Sequence, residues 1–468
     1  MLIYSRRHPN FMFVGRAEEL GVLEEIWSGR SPKTCAVYGR RRVGKTTLID
    51  NFCQDKRHIR FSFINSTEGK NAALMDSAIC RYRGREPYGL TTFQQALEIL
   101  SEIIAEEDIV LFMDELAYLF EHAPHISSEL QHFIDHSLKN SNSMLIICSS
   151  AVSMIKKEVE SEDRPLYGRF INRIHVRQLH YWQCEKMHPE MTRADALRTY
   201  MTIGGYPAYH EVIQDSSFKD VIMRRFLGPN APFAEEAINM LSLELSPVPT
   251  IEALLLDISQ GATDAKKIAD KEGLSKTICG KYLRAMEDLE IIDRLTPMAN
   301  SDKKTRIYRI RDPLVGFWHS VMYPNLDIAS SPNREAAYEV MYEEISTYLG
   351  HRFEDVCIDY MKRRYLCKKI GKWWGWTGEE TSDIDIVAEV VDGKERYAVL
   401  AECKFRNRKM GVSALNELEE RSKYVKGYNN IKFKLFSGSG FTEDLLEIAE
   451  SRGDLELISL DDLFPGWD

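Results

Sequence analysis

Short apolar runs recur through the first 180 residues, at intervals that leave room for a helix between each pair. Each run is five or six residues long, which is typical of buried strands. Apolar strands that alternate with helices predict an α/β fold with a parallel sheet covered on both faces. The five predicted strands are Thr34–Tyr38, Ile59–Ile64, Ile109–Met113, Met144–Cys148 and Ile174–Gln178.

The spacing of apolar positions changes after residue 250, where three short helices and then two strands are predicted. A polar loop, residues 299–305, separates the two strands. This order is that of a helix-turn-helix followed by a wing. The predicted elements are the helices Ile251–Ile258, Ala265–Lys271 and Ser275–Leu289 and the strands Ile291–Leu295 and Arg306–Ile310.

The last quarter of the chain predicts a second α/β domain. Two strands, Ser382–Ala388 and Tyr397–Lys404, lie between a helix over Arg352–Arg363 and a helix over Val412–Tyr428. A chain of 468 residues is too long for one ordinary core. We therefore expect an α/β core, a helical lid, a helix-turn-helix with a wing, a helical linker and a second α/β domain, at residues 1–178, 179–245, 246–312, 313–345 and 346–468.

The first predicted strand runs into GRRRVGKT, which fits the phosphate-loop pattern GxxxxGK[ST] and is followed by a helical run. Glycines there let successive N–H groups point at phosphate oxygens, with the positive end of the helix dipole behind them. Lys45 would reach the β- and γ-phosphates, and the Thr46 hydroxyl would ligate Mg²⁺, so ATP and Mg²⁺ are the expected cofactors. The residues expected at the nucleotide are Gly39, Arg40, Arg41, Arg42, Val43, Gly44, Lys45, Thr46 and Thr47.

Three further positions are candidates for the chemistry of hydrolysis. Asp114, at the end of the third strand, would hold the metal, and Glu115 would act as base toward the attacking water. Ser149, at the end of the fourth strand, would either sense the γ-phosphate or cap the next helix. Arg169 would either stabilise transition-state charge or lie on the surface, and the three loop arginines would either add charge to the site or face solvent.

The order of these motifs resembles the archaeal-type ATPase family of the AAA+/STAND class. The resemblance spans about residues 10 to 240 and rests on FVGRAEEL, GRRRVGKT, FMDE, ICSS, PLYGR and GGYP. It implies that the first and last of these segments line an adenine pocket, which nominates Val14, Gly15, Arg16 and Pro207. A homo-oligomer is compatible with this class, although a clear second sensor arginine is absent.

The predicted winged helix is basic in an otherwise acidic chain. Residues 263–311 hold 12 Lys+Arg against 8 Asp+Glu, whereas the whole chain has a net charge of −10. Basic residues on the recognition helix and the wing would meet DNA phosphates, so DNA is the expected partner; the alternative is a packing module with a solvated basic face. The residues concerned are Lys276, Lys281, Arg284, Lys303, Lys304 and Arg306.

Carboxylates and a lysine share strand faces in the C-terminal domain. Asp385 is followed, after a gap of 16 residues, by Glu402-x-Lys404, and Glu354 on the preceding helix adds a further carboxylate. Asp385 and Glu402 would hold Mg²⁺ or Mn²⁺, and Lys404 would orient a water or stabilise phosphate charge. The arrangement resembles the PD-(D/E)XK nuclease fold, without the proline. Three outcomes stay open: an active nuclease, a nuclease-like fold kept for DNA binding, and ordinary charged strands.

The sequence thus predicts an ATP-binding, ATP-hydrolysing protein that acts on DNA, with metal-dependent cleavage by its C-terminal domain as one form of that action. The competing prediction is a regulatory switch, in which ATP controls DNA binding and the C-terminal domain cuts nothing. No window approaches 18 consecutive apolar residues and the start lacks the apolar segment of a signal peptide, so we expect a cytoplasmic protein without membrane contact.

Overall fold

The structure is a computed structural model that describes residues 13–262, 264–298, 306–377 and 380–467. It divides into two compact units. The first unit consists of Phe13–Leu179 with Tyr206–Tyr209, and the second of His180–Gly205 with the chain from His210 onward. The predicted end of the ATPase core at residue 178 therefore lies one residue from the observed end of the first unit's main segment.

The first unit is built on a five-stranded parallel sheet in the order β2-β3-β4-β1-β5. All five predicted strands are present, and β1, β3 and β4 are buried along their whole length because helices cover both faces. Since β1, β4 and β3 are neighbours, the loops at their carboxyl ends meet at one edge. The strands are β1 Lys33–Tyr38, β2 His58–Ser62, β3 Val110–Asp114, β4 Met144–Ser149 and β5 Asn172–His175.

The helices of the first unit begin where the sequence supplies caps. Helix α4, for example, starts with a capping box in which Thr92 and Gln95 bond each other's backbone N–H groups. The helices are α1 Ala17–Ser28, α2 Lys45–Phe52, α3 Glu68–Arg83, α4 Phe93–Glu106, α5 Ala117–His122, α6 Ile126–His136 and α7 Val152–Glu160, with a 3₁₀ turn at Leu138–Asn140.

The predicted lid is helical, as expected, and apart from Tyr206–Tyr209 its residues from His180 on belong to the second unit. Two of its helices start at Thr192 and Ser217, whose hydroxyls accept N–H bonds as N-caps. The helices are α8 Tyr181–Glu185, α9 Arg193–Ile203, α10 Pro207–His210, α11 Phe218–Val221 with a π-helical extension at Ile222–Phe226, and α12 Glu236–Glu244.

Three helices and a two-stranded antiparallel ribbon follow, in the order predicted for residues 251–310. We call residues 248–310 the helix-ribbon segment. Asp264 and Ser275 cap its second and third helices through their side-chain oxygens. The elements are α13 Val248–Ser259, α14 Ala265–Lys271, α15 Lys276–Asp288, β6 Ile292–Leu295 and β7 Ile307–Ile310. The loop 299–305, with Lys303 and Lys304, lies outside the described residues.

The segment predicted as a helical linker, residues 313–345, consists of several short helical elements and the first part of a long helix. Its helices α16 Pro313–Phe317 and α17 Leu326–Ala329 are short, and they flank a π-helical segment at Trp318–Met322 and a 3₁₀ turn at Tyr323–Asn325. Helix α18, Arg334–Arg364, then runs without a break across the predicted boundary at residue 345. The secondary structure therefore does not mark the predicted boundary at residue 345, which stays a prediction.

The C-terminal domain contains a mixed five-stranded sheet in the order β12-β11-β10-β9-β8. Strands β8, β9 and β10 are antiparallel, whereas β10, β11 and β12 are parallel. Helix α19 ends at Ser422, short of the predicted Tyr428. The elements are β8 Cys367–Trp376, β9 Thr381–Asp392, β10 Glu395–Lys404, α19 Val412–Ser422, β11 Ile431–Ser437, α20 Glu443–Ser451 and β12 Leu455–Ser459, with a 3₁₀ turn at Asp461–Leu463.

The helix-ribbon segment is joined to α18 by charged groups within the second unit, of which Arg352 is buried and Arg309 and Asp355 are half-buried. The Arg309 guanidinium lies 2.6 Å from the Asp355 carboxylate, and Arg352 donates to the Ile310 carbonyl at 3.2 Å and pairs with Asp355 at the same distance. Such a network is costly to break because each removed partner leaves a partly buried charge behind. Among the helices of the described ranges, none has both the length and the apolar character that crossing a bilayer requires.

Candidate functional sites

The phosphate loop, residues 39–46, has a backbone that two glycines make possible. A Cβ on Gly39 would lie 2.2 Å from the Val176 carbonyl oxygen, so no larger residue fits. Gly44 has a φ of 90° and immediately precedes α2. The free N–H groups of the first turn of α2 therefore face the loop, which is the usual setting for a bound phosphate.

Lys45 is buried, and its ammonium is held by the loop itself. Its Nζ donates to the carbonyl oxygens of Gly39 at 2.9 Å and of Arg40 at 3.0 Å. The Lys45 ammonium therefore lies on the concave side of the phosphate loop, next to the backbone of its first two residues. Val43 is buried and Thr47 is exposed, so neither side chain lines the loop as Lys45 does.

Thr46 and Asp114 meet, as the metal prediction requires. The Thr46 hydroxyl donates to Asp114 Oδ2 at 3.1 Å, and burial raises the pKa of the Asp114 carboxyl above its usual range. A hydroxyl and a carboxylate are the hard oxygen donors that Mg²⁺ prefers, and a buried carboxylate gains from a nearby cation, so the pair fits the ion. Arg60, which sequence reasoning missed, places its Nη2 2.9 Å from the same carboxylate oxygen.

Glu115 follows Asp114 with a φ of 57°, a left-handed conformation that is rare for glutamate and typical of functional positions. Its Oε2 accepts hydrogen bonds from the Ser149 hydroxyl at 3.1 Å and from the backbone N–H and the hydroxyl of Ser150, each at 3.0 Å. The Ser149 oxygen also accepts from the Ala151 N–H at 3.1 Å, but the N-cap of α7 is Ala151 and no side chain caps that helix, so Ser149 is not its N-cap. The alternative role, sensing the γ-phosphate, stays a prediction.

The segment before α1 is tied to the phosphate loop by Arg16. Its Nη2 donates to the Val43 carbonyl at 2.9 Å and to the Arg177 carbonyl at 2.6 Å, and both Gly15 and Arg16 have a φ of 68°. Val14 is buried. The ring of Pro207 lies beside the other end of the loop, 3.6 Å from where a Cβ on Gly44 would stand. The residues nominated for an adenine pocket therefore border the phosphate loop on two sides.

The three loop arginines contact three tyrosines rather than simply facing water. Arg40 is buried and donates to the Tyr206 hydroxyl at 2.6 Å, Arg41 donates to the Tyr118 hydroxyl at 2.6 Å, and the Arg42 guanidinium lies 5.0 Å from the centre of the Tyr209 ring. For Arg40 the solvent-facing alternative is wrong. Only Arg42 is exposed, and none of these tyrosines could be nominated without knowing the fold.

Arg169 is engaged in a structural contact. Its Nη2 lies 2.8 Å from Asp135 Oδ2, and its Nη1 donates to the carbonyls of Pro165 and Tyr167. Because its Nε also donates to Asp135, four of its five N–H groups are used, and these bonds tie the turn after α7 to α6. We therefore give Arg169 no role in the proposed chemistry.

The basic residues of α15 form an exposed face. Lys276, Lys281 and Arg284 are exposed, and so is Arg306 at the start of β7. Within the described part of the chain, none of these four makes an ion pair. Unpaired exposed cations on one helix and an adjoining ribbon are available to polyanions.

Asp385 and Glu402 lie on neighbouring strands in the C-terminal sheet. The ladder between β9 and β10 pairs Ile386 with Ala401, so the next step along it brings Asp385 opposite Glu402. Asp385 Oδ2 accepts the Cys403 N–H at 2.8 Å. Burial, and next the Asp385 carboxylate, raise the pKa of the Glu402 carboxyl. Two buried carboxylates that disfavour each other's charge form a set that a divalent cation would stabilise.

Cations surround these carboxylates. Glu402 forms an ion pair with Lys404 on the same strand and accepts from Arg421 Nη1 of α19 at 3.0 Å. Glu354 of α18, also buried, forms an ion pair with Lys372 of β8 and lies 3.8 Å from His351. We call Glu354, Asp385, Glu402 and Lys404 the carboxylate site. All four were predicted from the sequence. The contacts of Arg421 and Lys372 were not, because they depend on how α19 and β8 pack, and no local sequence pattern indicates that packing.

Comparison with known proteins identifies two domains. Residues 13–211 match the family described as an ATPase domain predominantly from Archaea. Residues 318–421 match a family described as archaeal and bacterial proteins of unknown function, and this range contains the carboxylate site together with Lys372 and Arg421.

Two proteins are similar to this chain in sequence, and one solved structure is similar to it in fold. An uncharacterized protein of Methanocaldococcus jannaschii is 27% identical over 411 residues, covering 85% of this chain and 88% of that one. An uncharacterized ATP-binding protein of the same organism is 49% identical over 51 residues, 11% of this chain and 86% of its own length. The Walker-type ATPase of Pyrococcus abyssi has a similar fold, with a TM-score of 0.51, 17% identity and coverage of 66% of this chain and 96% of that one.

Proposed function

Residues 13–211 are an ATPase domain of a family found predominantly in Archaea, and from this premise we propose that the chain hydrolyses ATP and acts on DNA, with a C-terminal domain that cleaves phosphodiester bonds. The observation that carries the last part is that Asp385 and Glu402, both buried, lie opposite each other on β9 and β10, with Lys404 paired to Glu402. We also propose that this domain is nuclease-like and that the helix-ribbon segment is a winged helix.

In the ATPase unit the proposed roles follow from the contacts. Lys45 exchanges its two carbonyl partners for β- and γ-phosphate oxygens, which are stronger acceptors. Thr46 and Asp114 would hold Mg²⁺, which neutralises phosphate charge when bound. The Arg60 guanidinium, which lies 2.9 Å from the same Asp114 oxygen, would then compete with the metal for that carboxylate.

Glu115 is the proposed base that takes a proton from the attacking water. Ser149 and Ser150 donate three hydrogen bonds to its Oε2, so that oxygen is already engaged as an acceptor. A phosphate that takes the serine hydroxyls as its own donors would free the Glu115 oxygen. This exchange would tie the reactivity of the base to the presence of the nucleotide.

In the C-terminal domain Asp385 and Glu402 would hold Mg²⁺ or Mn²⁺, which activates a water and polarises the phosphate when bound, and Glu354 on α18 is a further carboxylate that could assist them. Lys404 would place its ammonium next to the phosphate oxygens and stabilise the charge that develops there. Arg421 keeps the Glu402 carboxylate oriented from the side of α19. The four side chains come from three elements, α18, β9 and β10, so the site exists only when the domain is folded.

The second candidate function is an ATP-controlled DNA-binding switch whose C-terminal domain cuts nothing. One observation favours it: Lys372, Lys404 and Arg421 already pair with Glu354 and Glu402, so the carboxylates are partly neutralised without a metal. Metal-dependent DNA cleavage that disappears with Asp385 would decide between the two functions.

DNA contact through the helix-ribbon segment has its own test. Changing Lys276, Lys281 and Arg284 together to Glu is expected to weaken duplex binding by at least about 10-fold at moderate salt, because three phosphate-facing cations become anions. The slope of log affinity against log salt should fall in magnitude by about 3, roughly 0.9 per lost contact. Fluorescence anisotropy with a labelled duplex at several salt concentrations measures both quantities.

The matched control for this experiment changes three exposed lysines of the ATPase unit, Lys70, Lys139 and Lys157, to Glu. It alters the net charge of the chain by the same amount. Equal weakening in the two triple variants would mean that only total charge matters, and it would remove the helix-ribbon segment from the DNA interface.

A further inference from the structure

Strand β9 carries an irregularity at the position of Asp385. Gly371 of β8 pairs with Val387, and Trp373 pairs with Ile384, so β9 advances three residues while β8 advances two. Asp385 and Ile386 consequently stand opposite one residue, Lys372. Bulges of this kind re-aim side chains and are common beside functional sites.

Lys372 faces the carboxylate site with its side chain. Its ammonium forms an ion pair with Glu354, and Asp385 and Asp383 are near enough to stabilise its charge. The side chain is only 20% exposed, and burial lowers the pKa of Lys372 from its usual value in spite of these carboxylates. A resident cation thus stands next to two of the groups proposed to bind a metal.

The backbone of Lys372 is joined to the ribbon. Its carbonyl accepts the N–H of Met298 at 2.8 Å, and the Met298 side chain packs on Gly371, 3.2 Å from where a Cβ would be. Met298 follows β6 and leads into the loop that precedes Arg306. A displacement of that end of the ribbon would be transmitted directly to the residue that holds the ammonium.

There is also space for the ammonium to leave. A cavity of about 580 Å³ lies between β7, α18 and β8, and its lining includes Ile307, His351, Glu354 and Lys372. A side chain that turns away from Glu354 can therefore enter open volume without displacing packed atoms.

From these observations we infer that Lys372 is an internal cation that keeps divalent metal out of the carboxylate site until nucleic acid on the ribbon draws it away; this inference rests on the proposed function. With the ammonium beside Glu354, a metal there would meet a like charge at short range in a poorly screened site. With the ammonium withdrawn, Glu354 and Asp385 are released to bind the metal. Cleavage would then be confined to DNA that the helix-ribbon segment already holds.

The test is Mn²⁺ binding to the full-length, nucleotide-free chain, followed by the loss of the free-ion electron paramagnetic resonance signal. An Asp385→Asn variant identifies the part of the binding that belongs to the carboxylate site, as distinct from Asp114. Lys372→Met, which keeps the length of the side chain and removes its charge, is expected to tighten that part at least about 10-fold. Lys372→Arg keeps a cation, so Asp385-dependent Mn²⁺ binding should stay weak in that variant. Binding should also stay weak in Lys369→Met, which removes an exposed lysine from the same strand.

Adding a short DNA duplex gives the second arm. The duplex should tighten Asp385-dependent Mn²⁺ binding in the natural chain and in Lys369→Met, and it should change nothing in Lys372→Met. Equal Mn²⁺ affinity in the natural chain and Lys372→Met without DNA would overturn the inference, as would an equal DNA effect in both. Mn²⁺ gating without any DNA cleavage would leave this inference standing and reject the proposed nuclease, so the two failures are distinguishable.

Discussion

Replacing Glu115 with glutamine is expected to lower the rate of ATP hydrolysis by about 1,000-fold while leaving ATP affinity within a factor of about 3. Glutamine keeps the shape of the side chain and its capacity to accept from Ser149 and Ser150. It cannot take a proton from water, which removes the base from the transition state and leaves ground-state binding intact. Steady-state phosphate release and equilibrium binding of a fluorescent ATP analogue measure the two quantities separately.

Glu121→Gln provides the control, because Glu121 is an exposed carboxylate on the helix that follows. Its hydrolysis rate should equal that of the natural chain. Retention of more than about a tenth of the turnover in Glu115→Gln would exclude Glu115 as the base, given the size of general-base effects.

Replacing Lys45 with alanine is expected to weaken ATP binding by at least about 100-fold, or about 3 kcal/mol. The ammonium is the group that the phosphate loop holds at its concave side, and charge-assisted hydrogen bonds to phosphate are about twice as strong as neutral ones. Isothermal titration calorimetry with ATP and Mg²⁺ gives the affinity. Lys70→Ala, which removes an exposed lysine from the same unit, should bind ATP normally.

Because Lys45 is buried and donates to two backbone carbonyls, its removal also leaves those oxygens short of a partner. A thermal unfolding curve therefore accompanies the binding measurement. Normal ATP affinity in a folded Lys45→Ala protein would contradict the assignment of the nucleotide site.

The ATPase core was predictable because its signals are local. Each buried strand is a short apolar run, and the phosphate loop is a contiguous pattern whose glycines are needed for its own backbone. What the sequence could not supply is the order of the strands. Arg60 contacts Asp114 only because β2 pairs with β3, with Ser62 opposite Asp114, and no pattern within β2 announces that neighbour.

The carboxylate site was predictable in its acidic members and Lys404, because Asp385 and Glu402-x-Lys404 lie on recognisable strands. Two of the cations that pair with these carboxylates were not predictable. Lys372 owes its position to an extra residue in the opposite strand, and Arg421 owes its position to the packing of α19 on the sheet. Both depend on tertiary contacts, which override local preference.

Arg169 shows where the sequence leaves two alternatives open, transition-state stabilisation or a surface position. The structure pairs that arginine with Asp135 and with two carbonyls of its own turn. An arginine with five donors satisfies a turn as readily as it binds a phosphate, and the sequence around it does not separate the two uses.

The most direct measurement is the nicking of supercoiled plasmid DNA by the full-length chain with Mg²⁺ or Mn²⁺, in the presence and absence of ATP, beside Asp385→Asn and Lys404→Ala. We expect the natural chain to cut, both variants to lose at least about 100-fold of that activity, and ATP to change the rate of cutting. Cutting that persists equally in both variants would contradict the proposed nuclease. The absence of cutting by all three proteins, with ATP hydrolysis intact, would also contradict it and would favour the DNA-binding switch.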